Sequence, residues 1–294
     1  MGKIKAPTKR IRKNIVPPKS KPKVKNVKSS EETILVEFPA DKWIFVQNSP
    51  LSSVPLQDDG HTIKEGYEKF VNDNYNSFSN EIVKKYKDTW NGAFIFKNHN
   101  DNPDETYGIV TSVKLRKIKS KSGDFRYVPE ILMAICLSDS PDSRLVKKIE
   151  EDGTVKTSMG VMAVSLKCSL CGSIKGCNHI TYSLGEKYST PYGYDSVITA
   201  LVNDEPEDGD ESDINYDDYD RYPVYWYENS ILDETPAYKG VTNSFVYKFP
   251  KGSLVDNKVV IEMPKKAYTR SGIYGKNALQ IYERKGLIKI HEKE

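Results

Sequence analysis

Four residues able to ligate a metal crowd one short stretch of the sequence: Cys168, Cys171, Cys177 and His179, in the pattern C-x2-C-x5-C-x-H. Thiolates and a neutral imidazole are the donors a tetrahedral zinc ion prefers, and closely spaced ligands let one loop supply all four. Four protein ligands leave no position for water, so the expected ion is structural, one per chain, and not catalytic. Gly172 and Gly176 suit a chain that folds back around an ion, because such a turn needs positive φ. A disulfide between two of the cysteines, or a set of unrelated buried thiols, is the competing reading. Cys136, inside the apolar run 131–137, reads as a core thiol.

Composition restricts the classes to which such a loop can belong. The chain has 294 residues, 29% of them charged, with a net charge of +3 and a mean hydropathy of −0.61. It is long enough to bury a substantial core. No apolar run approaches the roughly 20 residues of a membrane span, and the basic, proline-broken N-terminus is unlike a signal peptide. These features predict a cytoplasmic, reducing setting with no membrane partner, where clustered cysteines bind metal more readily than they pair.

The charge is segregated. Residues 1–28 carry eleven Lys or Arg and no acid, which leaves −8 on the rest of the chain. Asp204 to Asp220 then hold ten Asp or Glu without a Lys or Arg. Blocks of this kind belong to tails and loops. Residues 1–30 are therefore expected to form an extended basic arm, whose residues 1–28 can neutralise phosphates or lie on an acidic protein surface. Residues 31–294 are expected to form one domain, with a zinc loop at 166–181 and an acidic insertion at 203–221.

The elements that would position the loop read as mainly β with a few helices, an α+β chain. Dense β-branched and aromatic residues mark strands at 33–38, 42–47, 92–97, 107–118 and 127–137. Apolar residues at helical spacing over 63–71 and 82–86 suggest one broken helix or two short ones. Ser140-Pro141-Asp142 reads as a helix start capped by the serine, with Gly153 as its stop. An alternating strand begins near Ser158, and 161–166 continues it to the cysteines. Residues 182–202 read as part of an irregular insertion. Order resumes at 222–227, in the stretch 228–249 and at 258–262, and 274–290 gives a short helix and an edge strand.

The order of these parts resembles the head maturation (prohead) proteases of tailed phages, which share a β-barrel serine protease fold with the herpesvirus assemblins. The similarity lies in the strand ending at Asn98-His99, the glycine-initiated strand from Gly108, the apolar strand 130–137, the helix 145–149, Gly153, and Ser158-Met159-Gly160. It covers roughly residues 90–250. Asp233-Glu234-Thr235, Tyr238 and Gly240-Val241 resemble a divergent copy of a later family motif; the zinc loop and acidic insertion are additions to it.

The resemblance implies an assemblin-like closed β-barrel with flanking helices. It implies Ser158 as nucleophile, His99 as the base that takes its proton, and Asp233 as the group orienting the imidazole, with Glu228 and Glu234 as alternatives. Backbone N–H groups near Gly160 are the expected oxyanion donors. The implied function is cleavage of scaffold or capsid proteins in the host cytoplasm during head assembly. The alternative on the same fold is a catalytically silent virion structural protein that meets capsid or portal and is anchored by its basic arm, with packaged DNA as a further contact of residues 1–28. A zinc-dependent nucleic-acid-binding module is the weakest option, because Tyr216, Tyr219 and Tyr222 stand in an acidic setting that repels phosphates.

Overall fold

A computed structural model of the chain describes residues 32–100, 102–205, 225–232, 242–250, 254, 256–269 and 275–293. The basic arm lies outside the described residues, as do 206–221 of the acidic insertion. Seven strands close into a barrel in the order β12 (Tyr225–Leu232), β4 (Phe94–Lys97), β5 (Gly108–Lys119), β6 (Phe125–Cys136), β2 (Trp43–Asn48), β13 (Thr242–Val246) and β7 (Thr154–Met162), with β7 returning to β12. The β12–β4 pairing is parallel, and the remaining barrel ladders are antiparallel.

The strand sequences show why the barrel needs a second layer. WIFVQN, FIFK and ILMAIC are apolar at successive positions, as expected for strands buried on both faces. One parity, including Ile44, Val46, Ile95, Met133, Ile135, Val155 and Ile231, packs into one cluster with α1 (Asn80–Tyr86) and α2 (Ser143–Asp152). The other parity, including Trp43, Phe45, Phe94, Phe96, Ala134 and Cys136, packs beneath the sheet β14 (Lys258–Pro264), β1 (Thr33–Pro39) and β15 (Lys289–Glu292). Helices α4 (Lys265–Thr269) and α5 (Ala278–Arg284) complete this outer layer.

Aromatic edges and satisfied polar tips lock the two layers together. Trp43 lies edge-on to Tyr282 at 4.9 Å between ring centroids, and its Nε1 donates to the Leu287 carbonyl at 3.0 Å. The Tyr282 hydroxyl donates to the Thr106 carbonyl at 3.0 Å. Close strand contact at the barrel waist requires Gly108, since a Cβ there would lie 1.9 Å from the Ala134 carbonyl oxygen.

Several sequence expectations need correction. Residues 63–71 are not a helix: Ile63 bridges to Leu56, and helical geometry is limited to a single 3-10 turn at Glu68–Phe70. The cap of α2 is Asp142, whose side chain accepts from the Leu145 N–H, whereas the Ser140 hydroxyl is buried without a partner. The run 161–166 is interrupted, with β8 beginning afresh at Ser165–Cys168. Residues 182–202 are ordered as a hairpin of β9 (Lys187–Ser189) and β10 (Asp195–Val197), followed by β11 (Ala200–Asn203). β11 pairs with β8 and with β3 (Asn76–Ser77) in a separate sheet. Alternation signals miss such short strands, whose residues are held by long-range pairing. Gly153 does stop α2, at φ 68°.

Phe96 is fully buried and stacked on Phe94 between the barrel and its covering layer. Phe96→Ala is expected to cost about 3–5 kcal/mol, read as a lower midpoint in denaturant unfolding.

Candidate metal centre and serine site

The cysteine loop folds back on itself at the end of β8. The Gly172 N–H donates to the Cys168 carbonyl and the Cys168 N–H to the Ser173 carbonyl, each at 2.9 Å, closing a tight knuckle. Gly172 and Gly176 take φ of 70° and 73°. Cys177 then caps the short helix α3 (Asn178–Tyr182), which carries His179 in its first turn. One ligand atom from each of Cys168, Cys171, Cys177 and His179 falls within 4.8 Å of the others.

This geometry fits a metal ion. Cys168 Sγ is 3.8 Å from His179 Nδ1, and a tetrahedral ion with bonds of about 2.0–2.3 Å separates its ligand atoms by about 3.3–3.8 Å. Cys168 is buried, and burial pushes its thiol up to about 12. Burial also acts on Cys177, but hydrogen bonds from the Ile180 N–H and the neighbouring thiols outweigh it and hold that group below its ordinary value. All four cysteines are free, and Cys136 is the core thiol expected, buried beneath the outer layer with its pKa raised by burial.

A second set of contacts fixes the knuckle to the protein. His61 Nδ1 lies 3.0 Å from the Ser169 carbonyl, which also accepts from the Tyr188 hydroxyl at 3.0 Å. The His61 ring sits against Gly172 so closely that a Cβ there would be 2.8 Å from His61 Cδ2. Ser169, fully buried, exchanges backbone and side-chain hydrogen bonds with Thr199. Thr199 in turn meets the Ser77 hydroxyl at 2.8 Å. The four candidate ligands are thus continuous with the sheet β3–β11–β8, an arrangement invisible in the C-x2-C spacing.

The serine site is built on the closure of the barrel. Ser158 on β7 is directly opposite Ser230 on β12, and opposed residues of antiparallel strands project to the same face. On the far side of β12, the chain leaving β4 enters two consecutive left-handed residues, Asn98 at φ 50° and His99 at φ 58°. The Asn98 N–H donates to the Ile231 carbonyl at 3.1 Å, and the His99 N–H donates to Ser230 Oγ at 3.0 Å. Backbone strain of this sort persists only where surrounding structure holds it, and it clusters at functional sites. Ser230, which the sequence reading missed, lies between the two expected catalytic residues. Standing between Asn229 and Ile231, it carries no signal in the sequence, and only its complete burial in the structure marks it.

Ser158 is 8% exposed and His99 is partly exposed. No hydrogen bond among the described residues joins the Ser158 hydroxyl to the His99 ring. A cleft of about 300 Å³, walled by Leu51, Phe70, Phe78, Met159 and Val161, includes Ser158 but not His99. Asp233 and Glu234 lie outside the described residues, and the backbone of Glu228 pairs with Phe94 and Gly160. The register of β12 slips between Trp226 and Glu228, facing Gly160 and Val161. Such bulges are common beside active sites.

Comparison with known proteins yields no family: no protein-family model, no curated protein and no solved structure matches the chain. Among the described residues, no helix is long and apolar enough to cross a membrane.

Cys168→Ser is expected to abolish stoichiometric metal binding, lower the melting temperature and speed amide exchange at 165–168 and 200–203. Metal analysis, melting and exchange mass spectrometry check this; an unchanged melt together with retained metal contradicts it. Ser230→Ala is expected to cost about 0.5–1.5 kcal/mol and to accelerate exchange at the His99 amide, because that donor loses its acceptor.

Proposed function

We propose that this chain is a serine endopeptidase of the phage prohead-protease type, acting on scaffold or capsid proteins during head maturation in the host cytoplasm. In this reading Ser158 is the nucleophile and His99 the general base, with Asp233 orienting the imidazole. The observation that carries it is the bridge through β12. Ser158 and His99, distant in sequence, come to opposite sides of one buried serine, Ser230, in a closed barrel.

The chemistry follows from the residue types. A serine hydroxyl is a weak nucleophile at neutral pH and attacks a peptide carbonyl only when an adjacent base accepts its proton. His99 fills that role, passing the proton to the leaving amine as the acyl-enzyme forms. A carboxylate on the other ring nitrogen fixes the tautomer and stabilises the imidazolium. Asp233 follows Leu232, the last residue of β12, and so is the acidic residue next in sequence to the bridge. Catalytic hydrogen bonds of this type often tighten only in the complex with substrate.

The same proposal assigns zinc to the Cys168, Cys171, Cys177 and His179 cluster, since a closed set of three thiolates and one imidazole suits that ion in a structural role. The ion ties the knuckle to α3 and supplies stability in a region where few side chains are fully buried.

A second reading, an assemblin-like barrel retained as a virion structural protein with capsid or portal contacts, draws on the missing hydrogen bond between Ser158 and His99. One experiment separates the two. Ser158→Ala is expected to lower cleavage of the chain itself or of a co-expressed scaffold protein by at least about a thousandfold, and to remove labelling by a fluorophosphonate. Cleavage that survives the substitution overturns the peptidase. A wild-type chain that neither cleaves nor labels, yet occurs at fixed stoichiometry in mature particles, establishes the structural role.

A further inference from the structure

Beyond the waist of the barrel, β5 leaves its neighbour. β4 covers it only as far as Val110, where the β5–β6 register also shifts between Val110 and Ser112. From Ser112 to Lys119 the strand continues its ladder with β6, from Ser112↔Leu132 to Lys119↔Phe125, while its other edge pairs with no described strand. This is eight residues of extended backbone with one row of N–H and C=O groups turned outward.

The edge is strongly basic. Lys114, Arg116, Lys117 and Lys119 are all exposed, and Lys121 follows in the turn. Arg116 pairs with Glu130 across the hairpin at 2.8 Å, and Lys117 Nζ stands 3.6 Å from the centre of the Phe125 ring. Among the described residues, Lys114, Lys119 and Lys121 form no ion pair, the carboxylate of Glu130 opposite Lys114 being taken by Arg116. Lysines and bulges both keep a bare edge from pairing with a like strand, whereas a strand of opposite charge meets no such repulsion. Here the bulge at the base of the arm is already present, and the cations beyond it occupy both faces of the strand.

The edge is also rigid. Val113 and Leu115 pack on the barrel core from the inner face. The β6 side of the hairpin is clamped, with the Ser53 N–H donating to the Tyr127 carbonyl at 2.8 Å and Asn80 Nδ2 to the Phe125 carbonyl at 2.7 Å. Lys64 Nζ holds Asp124 in the turn at 2.8 Å. A strand fixed in this way loses little conformational freedom when another pairs with it.

We propose that the 112–119 edge of β5 is a docking site for an acidic polypeptide segment, which binds in extended form as an added strand. Main-chain hydrogen bonds supply affinity, as in other cases of strand addition, and acids on both faces of the incoming strand meet Lys114 on one side and Lys117 and Lys119 on the other. A second copy of this chain is the wrong occupant. Pairing two such edges sets lysines against lysines, and like charges directly opposite are destabilising.

The test uses the full chain and a fluorescent decapeptide in which pairs of aspartates alternate with pairs of valines, so that an extended strand carries acids on both faces, followed by anisotropy. Saturable binding is expected, with exchange protection appearing at the amides of 112–119. Methylating alternate peptide nitrogens of the probe is expected to weaken binding at least about tenfold, and so is the triple variant Lys114→Glu, Lys117→Glu, Lys119→Glu. These three side chains are exposed and outside the ion pairs that hold the hairpin, but Lys117 contacts Phe125 and Lys114 stands opposite Glu130, so the variant's melting curve is recorded beside the wild type's and the comparison is made on folded protein. A methylated probe that binds equally well shows attraction by charge alone and overturns strand addition. Absence of saturable binding overturns the site, and a DNA duplex that binds the same edge more tightly than the peptide reassigns it to nucleic acid.

Discussion

Strand β12 is held by both of its neighbours, parallel to β4 and antiparallel to β7, and closure of the barrel rests on those two ladders. A sheet of this size left open would expose two long edges, and closing it removes them. The same placement brings distant polar residues together. It sets Ser158 opposite Ser230 and lets Ser230 accept from the amide of His99, so these residues gather where the two ends of the sheet meet. Without β12 in that position, Ser158 and the His99 turn would share no common neighbour.

The molecule stabilises its two halves by different means. Around the barrel, strands with apolar residues on both parities fill an interior and support a second layer, where Trp43, Phe38 and Tyr282 interlock edge to face. Burial on this scale is the dominant favourable term in folding. Around the cysteine knuckle the polypeptide is poor in buried apolar side chains: α3 buries none, and the β9–β10 hairpin buries only the polar Thr190 and Ser196. Here hydrogen bonds through Ser169, Thr199 and Ser77 and a four-ligand cluster replace the missing core. Metal binding in such a region is folding free energy, because the assembled site does not exist in the unfolded chain.

Among the described residues, the 112–119 edge of β5 pairs with no strand, and it is strongly basic. Where β5 parts from β4 the sequence turns from GIVT to KLRKIK, and the buried positions give way to exposed cations. The clamps on β6 keep this ribbon straight and attached while its outer backbone groups face away from the barrel. Physically, the arm joins a firm scaffold to an open ladder, and the positive charge selects what can approach it.

The sequence alone determined features that depend on residue type and short spacing. C-x2-C-x5-C-x-H brings four soft ligands within reach of one ion on any backbone that turns at Gly172 and Gly176, so the cluster was legible without a fold. The apolar strands β2, β4, β5 and β6 were legible because burial on both faces forces runs of Ile, Val, Phe and Met, and Gly153 announced the end of α2. Tertiary structure decided the rest. Ser230 is an ordinary serine until β12 lies between β4 and β7, and β3 and β11 are two and four residues long, too short to show alternation, and exist only because distant strands pair with them. The helix expected at 63–71 failed for the same reason: Ile63 and Tyr67 are buried by contacts with Val54 and Leu201, and burial from outside the segment produced a spacing that local periodicity could not distinguish from a helix.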